Sequence, residues 1–584
     1  MRNPEGSTIG EVLSRQAAHR PDKRAFVLLE RGERETGSLS FAELDRRARA
    51  IARVLQQNEL GGQRVILAYP TCLEFVAALF GCFFAGAIAV PAPVASHGNS
   101  FDRIRAILAD AEAAAVLSLR SIICKERDGP LGITGLQIPD VLCIATDDIP
   151  DSGGGQPRHV RSEDLAVLQY TSGSTGTPRG VMITHSNLMH NQRVLTRVLN
   201  TGPDDSAVSW LPLYHDMGLV GGVLHSVYAG GLCVLMPPLA FLQMPIRWLK
   251  AIHRYRATVS MAPCFAYDLC ARRYVPERDG GLDISTWRAA ICGGETIRPR
   301  LLERFAETFR PAGFDPNALL PGYGLAEATL LATSSPAGSG LATVEVLDSA
   351  GEARGEGHAA SKRLASCGHA WEEQRVAVVD PDSCVPVPPG QAGEIWLQGA
   401  SVAAGYWNRS DETRATFQAK LSGEADSGYW LRTGDLGFLS PEGLVVSGRR
   451  KEIIVIRGAN YDPLDIETEA CHSHPSLSSG AAAAFSIDHA DGEGLVLALE
   501  IERSALKGLD VDVLVSNVVS AVSRRFGLTI YDLVLRSGTL PRTTSGKIQR
   551  HLCQELYLAG ELGALPSIEH PALGRCRPQA HEVA

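Results

Sequence analysis

Several motifs that would assign a function at once are missing from this chain of 584 residues. Its thirteen cysteines are odd in number and form no CxxC pair, and no HExxH occurs. We therefore predict no disulfide framework and no zinc site, but reduced, mostly buried thiols in a cytoplasmic protein. A net charge of −9 without any run of lysine and arginine excludes a typical nucleic-acid-binding protein.

Targeting and membrane-spanning segments are also missing. The N-terminus has no apolar stretch of the kind that forms a secretory signal. The uncharged run from Phe75 to Val94 is twenty residues long and nominally reaches across a bilayer. However, Thr71 and Glu74 form a capping-box pattern before the run, and Gly86 offers a helix end within it. We therefore predict a buried helix, then the short strand AIAV that two prolines close, and no transmembrane segment.

What the chain does contain is an alternation of short apolar runs and helical patterns, without an internal repeat. Apolar residues at helical spacing over 44–55 follow a capping box of Ser40 and Glu43. Alternation of this kind predicts an α/β fold of mostly parallel sheets covered by helices. In such sheets ligands bind at the carboxyl ends of the strands.

The chain is longer than the chains that usually fold around a single hydrophobic core, so its length predicts at least two domains. We expect a large N-terminal domain at 1–448 that contains a strand-rich subdomain past Glu394. A small C-terminal α+β domain at 449–584 follows, with a helix near 511–526. Its tail from about Ala559 is rich in Pro, Gly and His and is expected to be loosely ordered.

A loop of small and hydroxylated residues, QYTSGSTGTPRG at 169–180, follows the apolar run LAVLQY. Its hydroxyls and main-chain N–H groups could bind an anion, and Arg179 adds a cation. It is not a Walker A loop, because no Gly-Lys-Ser/Thr follows at the required spacing. On composition alone, an anion-binding loop and a flexible surface connection are equally good interpretations.

Six further motifs change that balance. They are LPLYHDMGLVGG at 211–222, ICGGETIRP at 291–299, PGYGLAEATL at 321–330, WLRTGDLG at 430–437, VSGRRKEIIVIRGANYDPLDIE at 446–467 and LPRTTSGKIQR at 540–550. Each is modest evidence alone. Together, in this order and spacing, they closely resemble the adenylate-forming superfamily of acyl-CoA synthetases, peptide-synthetase adenylation domains and luciferases. The resemblance covers about residues 8–555 and implies the fold of those enzymes, with a mobile C-terminal domain.

Within that superfamily the chain is most similar to the fatty acyl-AMP ligase branch. The similarity rests on LQYTSGSTGTPRGVMITHSNL, YGLAEATL, SVAAGYWNRSDETRATF and IVIRGANYDPLDIE. Thirty-nine residues separate Glu327 from Cys367, which is a long connection for a compact domain. In the branch that the chain resembles, an extra segment there hinders the domain arrangement needed for coenzyme A. We expect this insertion at about 337–361, and a tolerated surface loop is the alternative.

The resemblance implies a reaction in two halves, with ATP and Mg²⁺ as cofactors. A medium- or long-chain fatty acid and ATP first give acyl-AMP and pyrophosphate. The acyl group then passes to the phosphopantetheine thiol of an acyl carrier protein. Only 37 residues follow Lys547, too few for a carrier domain, so we expect the carrier to act in trans. The alternatives are a fatty acyl-CoA synthetase and, more remotely, a binding homologue without turnover.

The resemblance also implies roles for individual residues. Those expected to bind the phosphates are Thr171, Ser172, Gly173, Ser174, Thr175, Gly176 and Arg179, with arginine where the family usually has lysine. Those expected to bind adenosine are Gly293, Gly294, Glu295, Gly322, Tyr323, Gly324, Asp435 and Arg449. Glu327 and Thr175 are the expected metal ligands.

Lys547, Glu327 and His215 are the expected catalytic residues, and Lys451 is expected to act in the domain movement rather than as a catalytic base. Lys547 would stabilise the charge that develops in adenylation, His215 would line the acyl entrance, and Lys451 would be the hinge. Five of these residues also have a plainer interpretation: Glu327 at a helix start, Tyr323 in the core, Asp435 in a turn, His215 as a structural histidine and Lys547 in solvent. The apolar stretches FLQMPIRWLKAIHRY and TVSMAPCFAYDLC are candidate acyl-pocket walls or plain core.

Overall fold

The computed structural model describes most of the chain. The described residues are 7–94, 99–123, 141–151, 154–172, 178–347, 361–423, 428–456, 459–477, 481–489, 492–501, 505–506, 508–542 and 548–563. They divide into two compact units. The first comprises Met1–Glu345 and Arg363–Ser447, and the second comprises Val346–Lys362 and Gly448–Ala584.

The first sheet of the N-terminal unit has six strands, of which only the last pair is antiparallel. In spatial order the strands are Leu142–Ala145, Ala115–Ser118, Arg64–Ala68, Ile88–Ala92, Leu165–Ser172 and Pro178–Thr184. The inner parallel strands are mostly buried apolar runs, as expected where helices cover both faces of a sheet, whereas the edge strand Leu142–Ala145 is more exposed.

A second sheet has nine strands, and its six central strands are parallel. Their spatial order is His369–Ala370, Leu331–Ser334, Leu319–Gly324, Ala289–Cys292, Val259–Ala262, Ser206–Ser209, Leu232–Leu235, Arg24–Glu30 and Arg34–Ser40. The α/β architecture with mostly parallel sheets is therefore confirmed.

Helices separate these strands. Those described in the N-terminal unit are Ile9–His19, Phe41–Gln57, Leu73–Ala85, Asn99–Ala111, Arg120–Ile123, His185–Leu199, His225–Ala229, Pro238–Gln243, Ile246–Tyr255, Cys264–Arg273, Pro276–Asp279, Pro299–Phe309 and Ser410–Phe417, with the π-helix Met217–Leu224 and 3-10 turns at Thr146–Asp148, Arg310–Ala312, Pro316–Ala318 and Ala326–Ala328. The capping box of Ser40 and Glu43 is present as predicted. The eleven described cysteines are free, and seven of them are buried.

The uncharged run forms a buried helix, Leu73–Ala85, and the strand Ile88–Ala92, as predicted. The helix ends at Gly86, which takes the left-handed conformation with φ 69°. The strand continues through Pro91, so the prolines do not close it at the predicted point. None of the helices in the described ranges is long and apolar enough to cross a membrane.

The predicted capping box of Thr71 and Glu74 is wrong. The N-cap residue is Cys72, and no side chain caps this helix end. Because the helix starts at Leu73, Glu74 is its second residue rather than its third. Its carboxylate instead accepts from the guanidinium of Arg47, with 2.8 Å between Nη2 and Oε1.

The strand-rich region past residue 361 contains a four-stranded sheet of Arg375–Val379, Gly393–Gln398, Leu431–Ser440 and Gly443–Arg449. Thr343–Leu347 and Ser361–Ala365 form a further two-stranded sheet. The predicted insertion at 337–361 includes the first of these two strands. Its residues 348–360 lie outside the described part of the chain.

The C-terminal unit has its own apolar core. A three-stranded sheet of Ala482–His489, Gly492–Glu500 and Ile530–Arg536 packs with the helices Pro463–His472, Val511–Phe526 and Arg550–Leu558. A two-stranded sheet of Ile454–Ile456 and Ala459–Tyr461, and the 3-10 turns Arg450–Glu452 and Pro475–Leu477, complete the described elements. The helix predicted near 511–526 has those bounds.

Candidate active site

The hydroxyl-rich loop joins the antiparallel strands Leu165–Ser172 and Pro178–Thr184, with Thr171 opposite Arg179. The predicted phosphate ligands Gly173, Ser174, Thr175 and Gly176 lie outside the described residues. Next to the loop, the side-chain amide of Gln169 donates to the carbonyl of Tyr214 at 2.7 Å. This contact brings the motif that contains His215 beside the strand that enters the loop.

Arg179 is held by two side chains that the sequence analysis did not predict. Its Nε lies 3.0 Å from Oε2 of Glu412, and its guanidinium carbon lies 5.6 Å from the centroid of the Tyr406 ring. The Tyr406 hydroxyl donates to Oε1 of Glu327 at 2.8 Å. Burial and the nearby Glu327 carboxylate raise the pKa of the Tyr406 hydroxyl, which therefore keeps its proton and acts as a donor.

Glu327 lies in the acidic turn, our name for residues 325–331, directly after the strand Leu319–Gly324. A 3-10 turn at Ala326–Ala328 carries the half-buried Glu327 side chain. The chain then folds back so tightly that a Cβ on Gly324 would lie 1.7 Å from the carbonyl oxygen of Leu330. Only glycine allows this approach, which explains why Gly324 precedes the turn.

The acidic turn and the loop hairpin are joined by the bridging segment, our name for residues 400–407. On one side its main chain pairs with the strand Pro178–Thr184: Met182 N donates to Gly405 O at 2.9 Å, and Trp407 N donates to Gly180 O at 2.8 Å. On the other side Ala403 N donates to Glu327 O at 2.9 Å. The segment therefore fixes the position of Glu327 relative to the strand that leaves the loop.

The chemistry of Glu327 fits a magnesium ligand. Across the described residues, no group of three or more His, Cys, Asp or Glu side chains could hold a metal ion. Mg²⁺ does not need such a group, because one or two carboxylates and the phosphates of a nucleotide commonly bind it. A half-buried carboxylate oxygen in a braced turn is a donor of the type that Mg²⁺ prefers.

Six of the residues predicted to bind adenosine, at 293–295 and 322–324, lie at the carboxyl ends of two neighbouring parallel strands, Ala289–Cys292 and Leu319–Gly324. A Cβ on Gly293 would lie 2.7 Å from the carbonyl oxygen of Gly322, so the two loops touch through their main chains. The Tyr323 hydroxyl donates to Oδ2 of Asp435 at 2.8 Å, and both side chains are buried. The structure thus brings Tyr323 and Asp435 together, although more than a hundred positions separate them in the sequence.

Glu295 has a different environment. Its Oε1 accepts a hydrogen bond from Phe265 N at 2.8 Å, at the first turn of the helix Cys264–Arg273. A carboxylate at this place satisfies a main-chain donor that the helix leaves unpaired, and it complements the helix dipole. The contact gives Glu295 a structural partner.

His215 lies at the entrance of the π-helix Met217–Leu224. Its Nδ1 is 2.5 Å from Oδ1 of Asp216, and the same oxygen accepts from Met217 N at 2.7 Å. The carboxylate of Asp216 therefore both orients the imidazole of His215 and caps the start of the helix. Helices of the π type are rare and often occur at functional sites.

The apolar stretches suggested as acyl-pocket walls contribute large side chains to the core. Trp248 and Tyr267 are fully buried. The Trp248 indole donates to Ser260 Oγ at 2.9 Å, and the Tyr267 hydroxyl donates to Ile291 O at 2.8 Å. These two aromatic residues are parts of the packed interior with satisfied polar groups.

In the C-terminal unit, Arg449 and Lys451 are exposed at the 3-10 turn Arg450–Glu452. Lys547 lies outside the described residues. The helix that follows it begins at Arg550, whose guanidinium contacts Glu452 at 2.5 Å and Glu467 at 2.6 Å.

Comparison with known proteins places this geometry in a family. Residues 13–407 match the model of the AMP-binding enzyme family. The medium-chain-fatty-acid–acyl-carrier-protein ligase JamA of Moorena producens is 41% identical over 578 residues, which cover 96% of this chain and 97% of JamA. FadD21 of Mycobacterium tuberculosis, provisionally named a fatty-acid–CoA ligase, is 37% identical over 94% of this chain and 98% of its own.

Solved structures support the same family. The fatty acyl-adenylate ligase of Legionella pneumophila, in complex with acyl adenylate and pyrophosphate, is 36% identical with a TM-score of 0.73. The match covers 95% of this chain and 96% of that one. The adenylate-forming fold predicted from the motifs is confirmed. The chain therefore belongs to the AMP-binding enzyme family and, within it, to the fatty acyl-AMP ligases.

Proposed function

We propose that the protein activates a medium- or long-chain fatty acid with ATP and then transfers the acyl group to an acyl carrier protein in trans. The observation that carries this proposal is the similarity, over nearly the whole chain, to a Legionella ligase bound to acyl adenylate and pyrophosphate. Both bound molecules are products of such an activation. The name of JamA supports a carrier protein as the acceptor.

The first half-reaction forms a bond between a carboxylate oxygen of the fatty acid and the α-phosphorus of ATP. The bond from that phosphorus to the β-phosphate oxygen breaks, and pyrophosphate leaves. In the second half-reaction the carrier thiol loses its proton and attacks the acyl carbonyl, and AMP leaves. The first step brings several anions together, so the protein contributes mainly by positioning them and neutralising their charge.

The nucleoside would bind at the carboxyl ends of the parallel strands. Tyr323 offers its ring to adenine, and its hydroxyl holds the Asp435 carboxylate, which accepts from the ribose hydroxyls. Gly293, Gly294 and Gly322 let the main chain approach the base. Arg449 is assigned to assist at the ribose, and Glu295 acts on this site through the helix that it caps.

The triphosphate would bind along the loop. Thr171 and Ser172 begin it, residues 173–176 continue it, and Arg179 supplies a cation that uses one of its five N–H donors on Glu412. Glu327 and Thr175 would hold Mg²⁺, which when bound neutralises charge on the phosphates. Tyr406 keeps the Glu327 carboxylate in its orientation.

Three residues are assigned to the reacting groups and to the change between half-reactions. Lys547 would stabilise the charge that develops at the α-phosphate in adenylation. His215, oriented by Asp216, would line the entrance for the acyl chain. Lys451 would be the hinge about which the small domain turns between the two half-reactions.

Two other functions use the same site. A fatty acyl-CoA synthetase differs only in its acceptor, and the name of FadD21 mentions coenzyme A. The sequence RGANYDP after the hinge departs from the usual acyl-CoA pattern and favours the carrier. A homologue without turnover would not need Glu327, Asp435 and Lys547 together.

The test uses the full chain with ATP, Mg²⁺ and octanoic or palmitic acid. We expect acyl-AMP to accumulate, little thioester with coenzyme A, and rapid loading of a carrier protein that bears phosphopantetheine. The same carrier without phosphopantetheine is the control and should stay unloaded. Rapid formation of acyl-CoA would contradict the proposed acceptor, and no acyl-AMP with any fatty acid would contradict the activity itself.

A further inference from the structure

The acidic turn contains a strained residue two positions after Glu327. Thr329 has φ 69° and ψ −57°, and Leu330 N donates to Ala328 O at 2.8 Å across it. This is the positive-φ form of the γ-turn, which is rare and strained. A β-branched residue takes such a conformation only where its surroundings enforce it.

One set of contacts around Thr329 comes from Asn191, a fully buried residue of the helix His185–Leu199. Its Nδ2 lies 3.0 Å from Leu331 O, and its Oδ1 accepts from Leu331 N at 3.3 Å. The same Nδ2 lies 3.5 Å from Ala328 O, the acceptor of the γ-turn. One amide side chain therefore contacts the main chain on both sides of Thr329.

A second set of contacts ties Thr329 and Asn191 to the bridging segment. The Thr329 hydroxyl donates to Ser401 O at 2.7 Å. Asn191 Nδ2 donates to Ser401 Oγ at 3.0 Å, and His190 Nδ1 lies 2.7 Å from the same oxygen. All four side chains are buried, so these contacts are strong and water does not replace them.

The same helix face holds the bridging segment at another point. Asn187 Nδ2 donates to Ala400 O at 2.8 Å and to Val402 O at 3.0 Å. Asn187 lies four residues before Asn191 and therefore on the same side of the helix. Its side-chain amide bonds the bridging segment and not the acidic turn, which makes it a matched comparison for Asn191.

From these contacts we propose that Asn191 is a positioning residue for the metal site. By enforcing the strained conformation of Thr329, it holds Glu327 at the place where its carboxylate meets Mg²⁺ and the phosphates. Without the Asn191 amide, Thr329 relaxes to negative φ, and Glu327 moves away from that place. This inference rests on the proposed role of Glu327 as a magnesium ligand.

The first experiment measures equilibrium binding of ATP to the full chain by calorimetry, at a series of Mg²⁺ concentrations. Mg²⁺ is expected to increase the affinity for ATP, and we expect Asn191→Ala to raise the Mg²⁺ concentration that gives half of this increase by about fivefold or more. The affinity for ATP in the absence of Mg²⁺ should stay within about twofold of wild type. Asn187→Ala should lower thermal stability and shift the Mg²⁺ dependence much less than Asn191→Ala, because its side chain bonds the bridging segment and not the acidic turn. An equal shift in both variants would show that Asn191 acts only on stability.

A second pair of variants tests the strain itself and does not require that Asn191→Ala folds. Thr329→Ala and Thr329→Gly both lose the hydroxyl, but only glycine takes positive φ without a steric cost. We expect Thr329→Ala to raise the Mg²⁺ requirement as Asn191→Ala does, and Thr329→Gly to stay near wild type. The same Mg²⁺ requirement in both would overturn the proposal.

Glu327→Gln separates this inference from the function on which it rests. If Glu327→Gln leaves the Mg²⁺ dependence of ATP binding unchanged, Glu327 is not the metal ligand, and the roles proposed for Glu327 and Asn191 are both wrong, whereas the acyl-AMP assay alone decides the proposed activity. If Glu327→Gln raises the Mg²⁺ requirement while Asn191→Ala and Thr329→Ala do not, the proposed role of Glu327 stands and that of Asn191 is wrong.

Discussion

Glu295 and Glu327 follow two neighbouring parallel strands of one sheet, yet their surroundings differ. Glu295 accepts from a main-chain N–H at the start of a helix, whereas Glu327 accepts from the hydroxyl of Tyr406. Both loops contain a residue with positive φ. In one it is Gly294, with φ 78°, and in the other it is Thr329, with φ 69°.

The difference supports the proposal that Glu327 serves a binding site, and it favours a structural role for Glu295. Glycine adopts positive φ without steric cost, whereas an L-residue such as threonine loses about 1–3 kcal/mol. Strain of this kind persists at active sites, where the surrounding structure holds a required geometry. The loop of Glu295 is relaxed and its carboxylate stabilises a helix. The turn of Glu327 is strained, and contacts from the helix His185–Leu199 and from the bridging segment hold it.

The largest expected effect is on Glu327. Glu327→Gln keeps the shape of the side chain but removes its charge, so we expect a fall of about 100-fold or more in the rate of adenylation. The measurement is fatty-acid-dependent exchange of labelled pyrophosphate into ATP.

Glu295→Gln is the matched control, because the glutamine carbonyl still accepts from Phe265 N. It should leave the exchange rate within about twofold, since one neutral acceptor replaces a charged one at a partly exposed helix start. Equal losses in the two variants would remove the distinction between the two carboxylates.

The next largest expected effect is on the binding of ATP near Asp435. Like Glu327, Asp435 accepts a hydrogen bond from a tyrosine, which here is Tyr323. Tyr323→Phe removes the donor and leaves the ring, so ATP affinity should fall about fivefold to tenfold, the value of one buried hydrogen bond. Calorimetry without fatty acid measures it. Tyr267→Phe, which also loses one buried hydrogen bond but lies in the core, should leave ATP affinity unchanged; a loss there would assign the Tyr323 effect to packing.

The sequence names candidate site residues, but it does not predict the side chains that contact them. Alternating apolar runs predict the parallel sheets, and the motifs identify Glu327, Tyr323 and Asp435 by type and order. Tyr406 and Asn191 carry no such signal, because their roles arise from contacts across the chain. The capping box predicted at Thr71 and Glu74 is wrong for a similar reason, because Glu74 binds Arg47 of another helix and the sequence motif gives no sign of that contact.

A smaller effect is expected at Arg179, which stands where the family usually has lysine. Arg179→Lys keeps the cation near the loop but loses the planar guanidinium that contacts Glu412 and the Tyr406 ring. We expect adenylation to change by about threefold or less, because charge rather than shape serves the phosphates. Arg179→Gln, which removes the charge, should cost more in the same exchange assay. A loss in Arg179→Lys as large as that in Arg179→Gln would mean that the guanidinium geometry is required.

The smallest effect on activity is expected for the substitution of Glu295 by alanine. Glu295→Ala removes the acceptor for Phe265 N, so the free energy of unfolding should fall by about 1 kcal/mol, a typical value for a lost helix cap. Thermal unfolding of the N-terminal unit measures this change, while calorimetry should find ATP affinity within about twofold of wild type. If ATP affinity instead falls strongly and the unfolding midpoint stays constant, Glu295 contacts the nucleotide directly. In that case the main-chain partner in this structure would not describe its role, and strain in the loop would no longer separate the two carboxylates.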